Sequence, residues 1–122
     1  MSPFDKVREF HRAFGQPVGD RPQLLDDDRI SLRRTLIEEE YDEFLESLYD
    51  GDLVNASKEL SDLLYVVYGT AVEMGINIDA VFDEVHRSNM SKLDENGKPI
   101  YREDGKVLKS KLYSAANVAD VI

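Results

Sequence analysis

The sequence predicts an all-α domain: a bundle of four helices followed by a less regular C-terminal tail. Three observations carry that reading. Apolar residues recur at helical spacing through four separate stretches. Glycines fall where three of those stretches stop, at Gly15, Gly51 and Gly75. Turn dipeptides flanked by short extended pieces gather beyond Lys92. A chain of 122 residues fits one domain, residues 1–122.

Each element has its own local signals. The first helix starts at Ser2-Pro3-Phe4-Asp5, with Ser2 as N-cap, Pro3 in the first turn and Asp5 reaching back as the acid of a capping box. Phe4, Val7, Phe10 and Phe14 fall mostly on one face, and the helix stops near Gly15. Pro17, Gly19 and Pro22 mark residues 15–28 as an ordered loop. The second helix begins after Asp26-Asp27-Asp28, whose charges suit a helix N-terminus, and runs to Asp50. Its apolar stripe is Leu36, Ile37, Tyr41, Phe44, Leu45 and Leu48. The third helix runs from about Leu53 to Met74. The fourth covers about Asp79 to Ser91, with Val81, Phe82, Val85 and Met90 inward. In the tail, Asn96-Gly97 and Asp104-Gly105 mark turns beside extended pieces at 99–101 and 106–108, and residues 114–122 form a last helical turn or two.

Composition narrows the function. The chain is 42% apolar and 33% charged, which describes a soluble globular protein rather than a disordered one. Its formal net charge of −10 argues against binding a nucleic acid polymer, because phosphate contacts need clustered Lys and Arg. A small phosphorylated ligand remains open, since a divalent cation bridges phosphates to carboxylates. No apolar run reaches the ~18 residues of a membrane span, so no membrane partner is expected. The N-terminus lacks the apolar core of a signal peptide, which predicts a cytoplasmic location. The absence of cysteine excludes disulfides and thiolate metal sites and fits a reducing compartment.

The acids show where chemistry sits. On the second helix, Glu39, Glu40 and Glu43 project within an arc of about 100° that adjoins the apolar stripe. Glu38, Asp42 and Glu46 point the other way. Glu-rich helices are common on surfaces, so this set alone defines no site. The third helix adds Glu59 and Asp62, three apart and on one face. Asp62 is the only charged residue between Leu60 and Val72. A helix apolar nearly all round is a buried helix, and an ionised Asp is not buried without compensation. A salt bridge from Arg33 or Arg34 would satisfy Asp62, whereas Lys58, on the same helix, is rotated away. One such pair leaves the acids of the second helix unexplained.

The Gly51-Asp52 turn makes the two helices an antiparallel hairpin. Glu40 and Glu43 lie about eight to eleven residues before it, and Glu59 and Asp62 a similar number after it. At a rise of about 1.5 Å per residue, the two groups reach the same height. Five converging carboxylates repel one another, and a hard divalent cation with oxygen ligands relieves that repulsion. Mg2+ is the natural ion, with Mn2+ as substitute. Zinc and di-iron are disfavoured, since the two histidines, His11 and His86, stand on other helices.

At these residues the sequence resembles a known family. Leu32-x-x-x-Leu36-x-x-Glu39-Glu40-x-x-Glu43, followed by Glu59-Leu60-x-Asp62-Leu63-Leu64-Tyr65, is similar to the two-part acidic signature of the MazG-like all-α nucleoside triphosphate pyrophosphohydrolases. These are relatives of the phosphoribosyl-ATP pyrophosphohydrolases and the dimeric dUTPases. The stretch His86-Arg87-Ser88-Asn89-Met90-Ser91-Lys92 resembles small single-domain members, and Asp104-Gly105-Lys106 and Ala116-Asn117-Val118 echo their tails. The likeness covers most of the chain from Leu32 onward.

The resemblance implies a four-helix MazG-like bundle that hydrolyses a nucleoside or deoxynucleoside triphosphate to the monophosphate and pyrophosphate. Control of the dNTP pool is the implied role, with dGTP/GTP or dUTP/dCTP as candidate substrates. Glu39, Glu43, Glu59 and Asp62 are then ligands of Mg2+, and Glu40 either joins them or serves as the general base. Asn89 and Lys92 contact ribose or phosphate; His86 contacts base or phosphate, or is structural. Family assembly implies a homodimer or dimer of dimers with active sites near subunit interfaces, and an apolar third helix suits that arrangement. Two other readings stay open. One is a phosphoribosyl-ATP pyrophosphohydrolase, which the same acids would serve but the 86–92 stretch disfavours. The other is a non-catalytic helical dimer that binds a metal or a partner protein. No residue decides base or sugar preference.

Overall fold

The computed structural model describes residues 1–122. Its helices are α1 (Pro3–Ala13), α2 (Asp27–Tyr49), α3 (Leu53–Met74) and α4 (Ile78–Met90). A two-stranded antiparallel ribbon follows, β1 (Ile100–Tyr101) and β2 (Val107–Leu108), with Ile100 opposite Leu108 and Tyr101 opposite Val107. One 3-10 turn, Val118–Asp120, lies near the C-terminus. The fold is all-α with a minor ribbon. Two compact units divide it, Met1–Ile76 and Asn77–Ile122. No helix is long and apolar enough to cross a membrane.

In the first unit the predicted capping box forms at the start of α1, and α2 and α3 have side-chain caps of their own. Ser2 Oγ accepts the Asp5 N–H while the Asp5 carboxylate accepts the Ser2 N–H, a reciprocal capping box. Asp26 caps α2 through the Arg29 N–H, and Asp52 caps α3 through the Asn55 N–H. Gly75 ends α3 at φ +67°, and a Cβ there would sit 2.3 Å from the Arg21 carbonyl oxygen. Only glycine fits both the left-handed backbone and that close approach.

Helix α3 is the spine of this unit, with α1 and α2 both packed on it. Phe4 and Val7 of α1 and Ala56, Ala71 and Val72 of α3 are its buried apolar residues. Phe10 and Phe14 differ from the expected inward face. They stack on one another with ring centroids 4.4 Å apart and stay exposed, while His11 is buried in their stead. Phe4, Val7 and His11 form one line along α1, and Phe10 stands about a quarter-turn off it. His11 Nδ1 donates to the Pro17 carbonyl oxygen at 2.8 Å, which fixes the loop after α1. The third helix was expected to be buried all round. Instead Leu60, Leu64, Tyr65 and Val67 are between 41% and 50% exposed, because α1 and α2 cover only part of its circumference.

A buried ionic network ties the N-terminal half of α2 to the end of α3. Glu73 receives Arg29 on both oxygens at 2.8 Å and Arg33 on Oε2 at 3.0 Å. Arg33 also donates to the Val66 carbonyl at 2.6 Å and to Thr70 Oγ1 at 3.1 Å. Gly69 makes room for it: a Cβ there would lie 2.4 Å from Arg33 Nη2 and 3.0 Å from His11 Nε2.

In the second unit, Asn77 caps α4 through the Ala80 N–H. Phe82, Val85 and Met90 are exposed, contrary to the inward face expected of them. The face that meets the tail is polar instead. Glu84 accepts from Arg87 at 2.6 and 3.0 Å and from the Asn117 N–H at 2.7 Å. Ser91 Oγ accepts the Ser114 N–H at 2.8 Å, and Ser110 Oγ donates to the Leu93 carbonyl at 2.7 Å.

Candidate metal centre

The α2–α3 hairpin brings acids from two helices to one height. Its turn, Asp50-Gly51-Asp52, reverses the chain, and Gly51 takes φ +71° to do so. Glu43 and Glu59 each lie eight residues from Gly51, on opposite sides of it; Glu40 and Asp62 each lie eleven. With equal rise on both arms, each acid of one helix lies at the height of its counterpart on the other.

Carboxylate oxygens of Glu40, Glu43 and Glu59 all lie within 4.8 Å of one another. Glu59 is 9% exposed, Glu40 is half-buried and Glu43 is exposed, so the group runs from the core to the solvent edge. The Oε2 atoms of Glu40 and Glu59 are buried with no hydrogen-bond partner. Buried carboxylate oxygens without a donor are costly and rare, and here two occur in one group. Burial pushes the Glu40 carboxyl above its ordinary value, and the charges of Glu43, Asp62 and Glu59 push it further. Burial also raises Glu59; Lys58 opposes that rise, while Glu43 and Asp62 add to it.

This donor set fits a hard divalent cation. Its atoms are all carboxylate oxygens, two of them unsatisfied, and no cysteine or histidine belongs to the group. Magnesium and manganese suit such a set, and zinc does not.

The remaining acids named from sequence lie differently. Asp62 stands close enough to act on Glu40 and Glu59, but its carboxylate outside the converging trio holds Lys58 Nζ at 2.8 Å. Lys58 is therefore not rotated away from it. A spacing of four residues puts both side chains on one face of α3, and that spacing was visible in the sequence. Nor does an arginine neutralise Asp62, since Arg33 serves Glu73 and Arg34 pairs with Glu38 at 2.8 Å. Glu39 is exposed and stands outside the trio, because one residue along a helix is about 100° of rotation. In the second unit, His86 and Asn89 are exposed on α4, and Lys92 follows its end, partly buried.

The fold and these acids define a class: an all-helical protein with a carboxylate-only hairpin suited to a hard cation. The sequence profile of the phosphoribosyl-ATP pyrophosphohydrolase family matches residues 7–89, and the chain belongs to that family. It is also 29% identical over 111 residues to an uncharacterised protein of Acanthamoeba polyphaga mimivirus. That alignment takes in 88% of this chain and 42% of the viral protein, so the chain spans less than half the length of that relative.

Proposed function

We propose that this chain is a magnesium-dependent pyrophosphohydrolase of the MazG-like type, which splits a nucleoside triphosphate into the monophosphate and pyrophosphate. One observation carries the reading: Glu40, Glu43 and Glu59 converge with two buried, partnerless oxygens, in a chain of a pyrophosphohydrolase family. Glu40, Glu43 and Glu59 hold the cation, with Asp62 completing the set from the adjoining turn of α3 and Glu39 contributing from the exposed rim. When bound, magnesium neutralises charge on the phosphate oxygens and on the departing pyrophosphate. Two packed helices hold the carboxylates in place before substrate arrives.

Glu40 has a second role open to it. From its half-buried place among the converging acids it serves as a general base drawing a proton from the attacking water. Water then adds to the α-phosphorus as the bond to the bridging oxygen breaks, and pyrophosphate leaves with that oxygen. The family likeness of residues 86–92 gives Asn89 and Lys92 a role toward ribose or phosphate and His86 one toward base or phosphate. The assembly is a homodimer or dimer of dimers in the cytoplasm. It acts on dGTP/GTP or dUTP/dCTP and so controls the dNTP pool.

The family match favours a second substrate, phosphoribosyl-ATP itself, whose triphosphate the same acids would serve. A panel of NTPs, dNTPs and phosphoribosyl-ATP, assayed for pyrophosphate and monophosphate with and without Mg2+, decides between them. Release from at least one dNTP that vanishes in EDTA is expected, with Glu43→Gln lowering kcat by about a hundredfold or more. A clear preference for phosphoribosyl-ATP selects the second substrate. No release from any compound by a folded, Mg2+-binding protein defeats the enzymatic reading and leaves a binding module.

A further inference from the structure

We propose that Lys58 is the resident counter-cation of the acidic group, and that a divalent ion must displace its ammonium from Asp62, so that Lys58 sets the metal affinity. This rests on the reading of the group as a cation site. Lys58 Nζ lies 2.8 Å from Asp62 Oδ2 and 3.7 Å from Glu59 Oε1. The ammonium thus serves Asp62 and one oxygen of Glu59, while the other Glu59 oxygen and Glu40 Oε2 stay without a partner. It neutralises one charge beside the converging trio, and the Glu40 charge also acts on it.

A divalent ion that takes Asp62 as a ligand competes with the ammonium for that carboxylate. A magnesium or manganese ion approaches a carboxylate oxygen to about 2.1 Å, and an ammonium hydrogen-bonded to the same carboxylate would face its double charge at close range. Lys58 is built to yield. Its side chain is 67% exposed, so the ammonium leaves for water along a flexible stem without crossing the core. A guanidinium locked by two hydrogen bonds, as Arg29 is on Glu73, has no such exit. In the metal-free protein Lys58 offsets the repulsion among these acids, and in the loaded protein the metal does so.

Direct Mn2+ binding and thermal melting test this without any turnover. The Lys58→Met protein should bind Mn2+ about two- to fivefold more tightly than wild type, the scale of an exposed ion pair. It should melt below wild type in EDTA and level with it in saturating Mn2+. Lys58→Gln should behave the same way, and Arg34→Met, which removes a charge bound to Glu38, should leave Mn2+ affinity unchanged. Unchanged or weaker binding by both Lys58 variants overturns the proposal, as does a melting deficit that persists in saturating Mn2+. Equal tightening by Arg34→Met overturns it too, by reducing the effect to net charge. If wild type and every variant fail to bind Mn2+, the cation reading falls and takes this inference with it.

Discussion

Glu73 is an acid whose side chain is 1% exposed, and its charge is tolerable only because two arginines meet it. Arg29 binds both oxygens, and Arg33 adds a third bond from deeper inside. Burial lowers the Arg33 pKa, and the Glu73 charge opposes that shift, so each ion is the other's solvation. Removing one partner is therefore far worse than removing an exposed pair. Glu73→Ala should cost about 3–5 kcal/mol in urea denaturation, because it leaves Arg33 buried without a counter-charge. A cost below about 1 kcal/mol would show that Arg33 finds water or another acceptor. None of this was legible in the sequence, where Arg33 and Arg34 look alike. Helical phase turns one inward, but which acid it meets, 40 residues away, is a tertiary fact. The Lys58–Asp62 pair is the opposite case, readable from a spacing of four.

Helix ends were legible because caps are local chemistry: Ser2, Asp26, Asp52 and Gly75 act on residues within a turn of themselves. The inward face of α4 was not, because its covering comes from a tail that brings backbone donors rather than apolar side chains. Glu84 shows how that contact works. Arg87, then the Asn117 N–H, holds its carboxyl down at about 2, against an ordinary 4.5. A group with a depressed folded pKa binds protons more readily when unfolded, so its stabilisation is present above about 4.5 and is lost as pH falls toward 2. The tail should accordingly loosen from α4 across that window. Hydrogen exchange at the Asn117 amide reports it directly: protection should fall through the window in wild type and be reduced already at neutral pH in Glu84→Gln. An amide that exchanges identically in both proteins would mean Glu84 does not hold the tail.

At the scale of the whole molecule, the apolar character of α3 was plain in the sequence, while its covering was not. One chain supplies α1 and α2 against it and leaves Leu60, Leu64, Tyr65 and Val67 about half exposed. Exposed apolar side chains spaced along one helix mark a surface that gains by association, at roughly 25 cal/mol per Å2 of apolar area removed from water. The acidic trio, in contrast, comes from α2 and α3 of a single chain. Assembly and cation binding should therefore separate. Wild type is expected to sediment as a dimer or tetramer at micromolar concentration, and Leu64→Lys as a monomer. Mn2+ affinity should survive that change within about twofold, because no ligand is lost, whereas turnover should fall at least tenfold if a neighbouring subunit closes the substrate pocket. A wild-type protein that sediments as a monomer removes the need for a neighbour. A Leu64→Lys monomer that keeps full turnover places the whole active site within one chain.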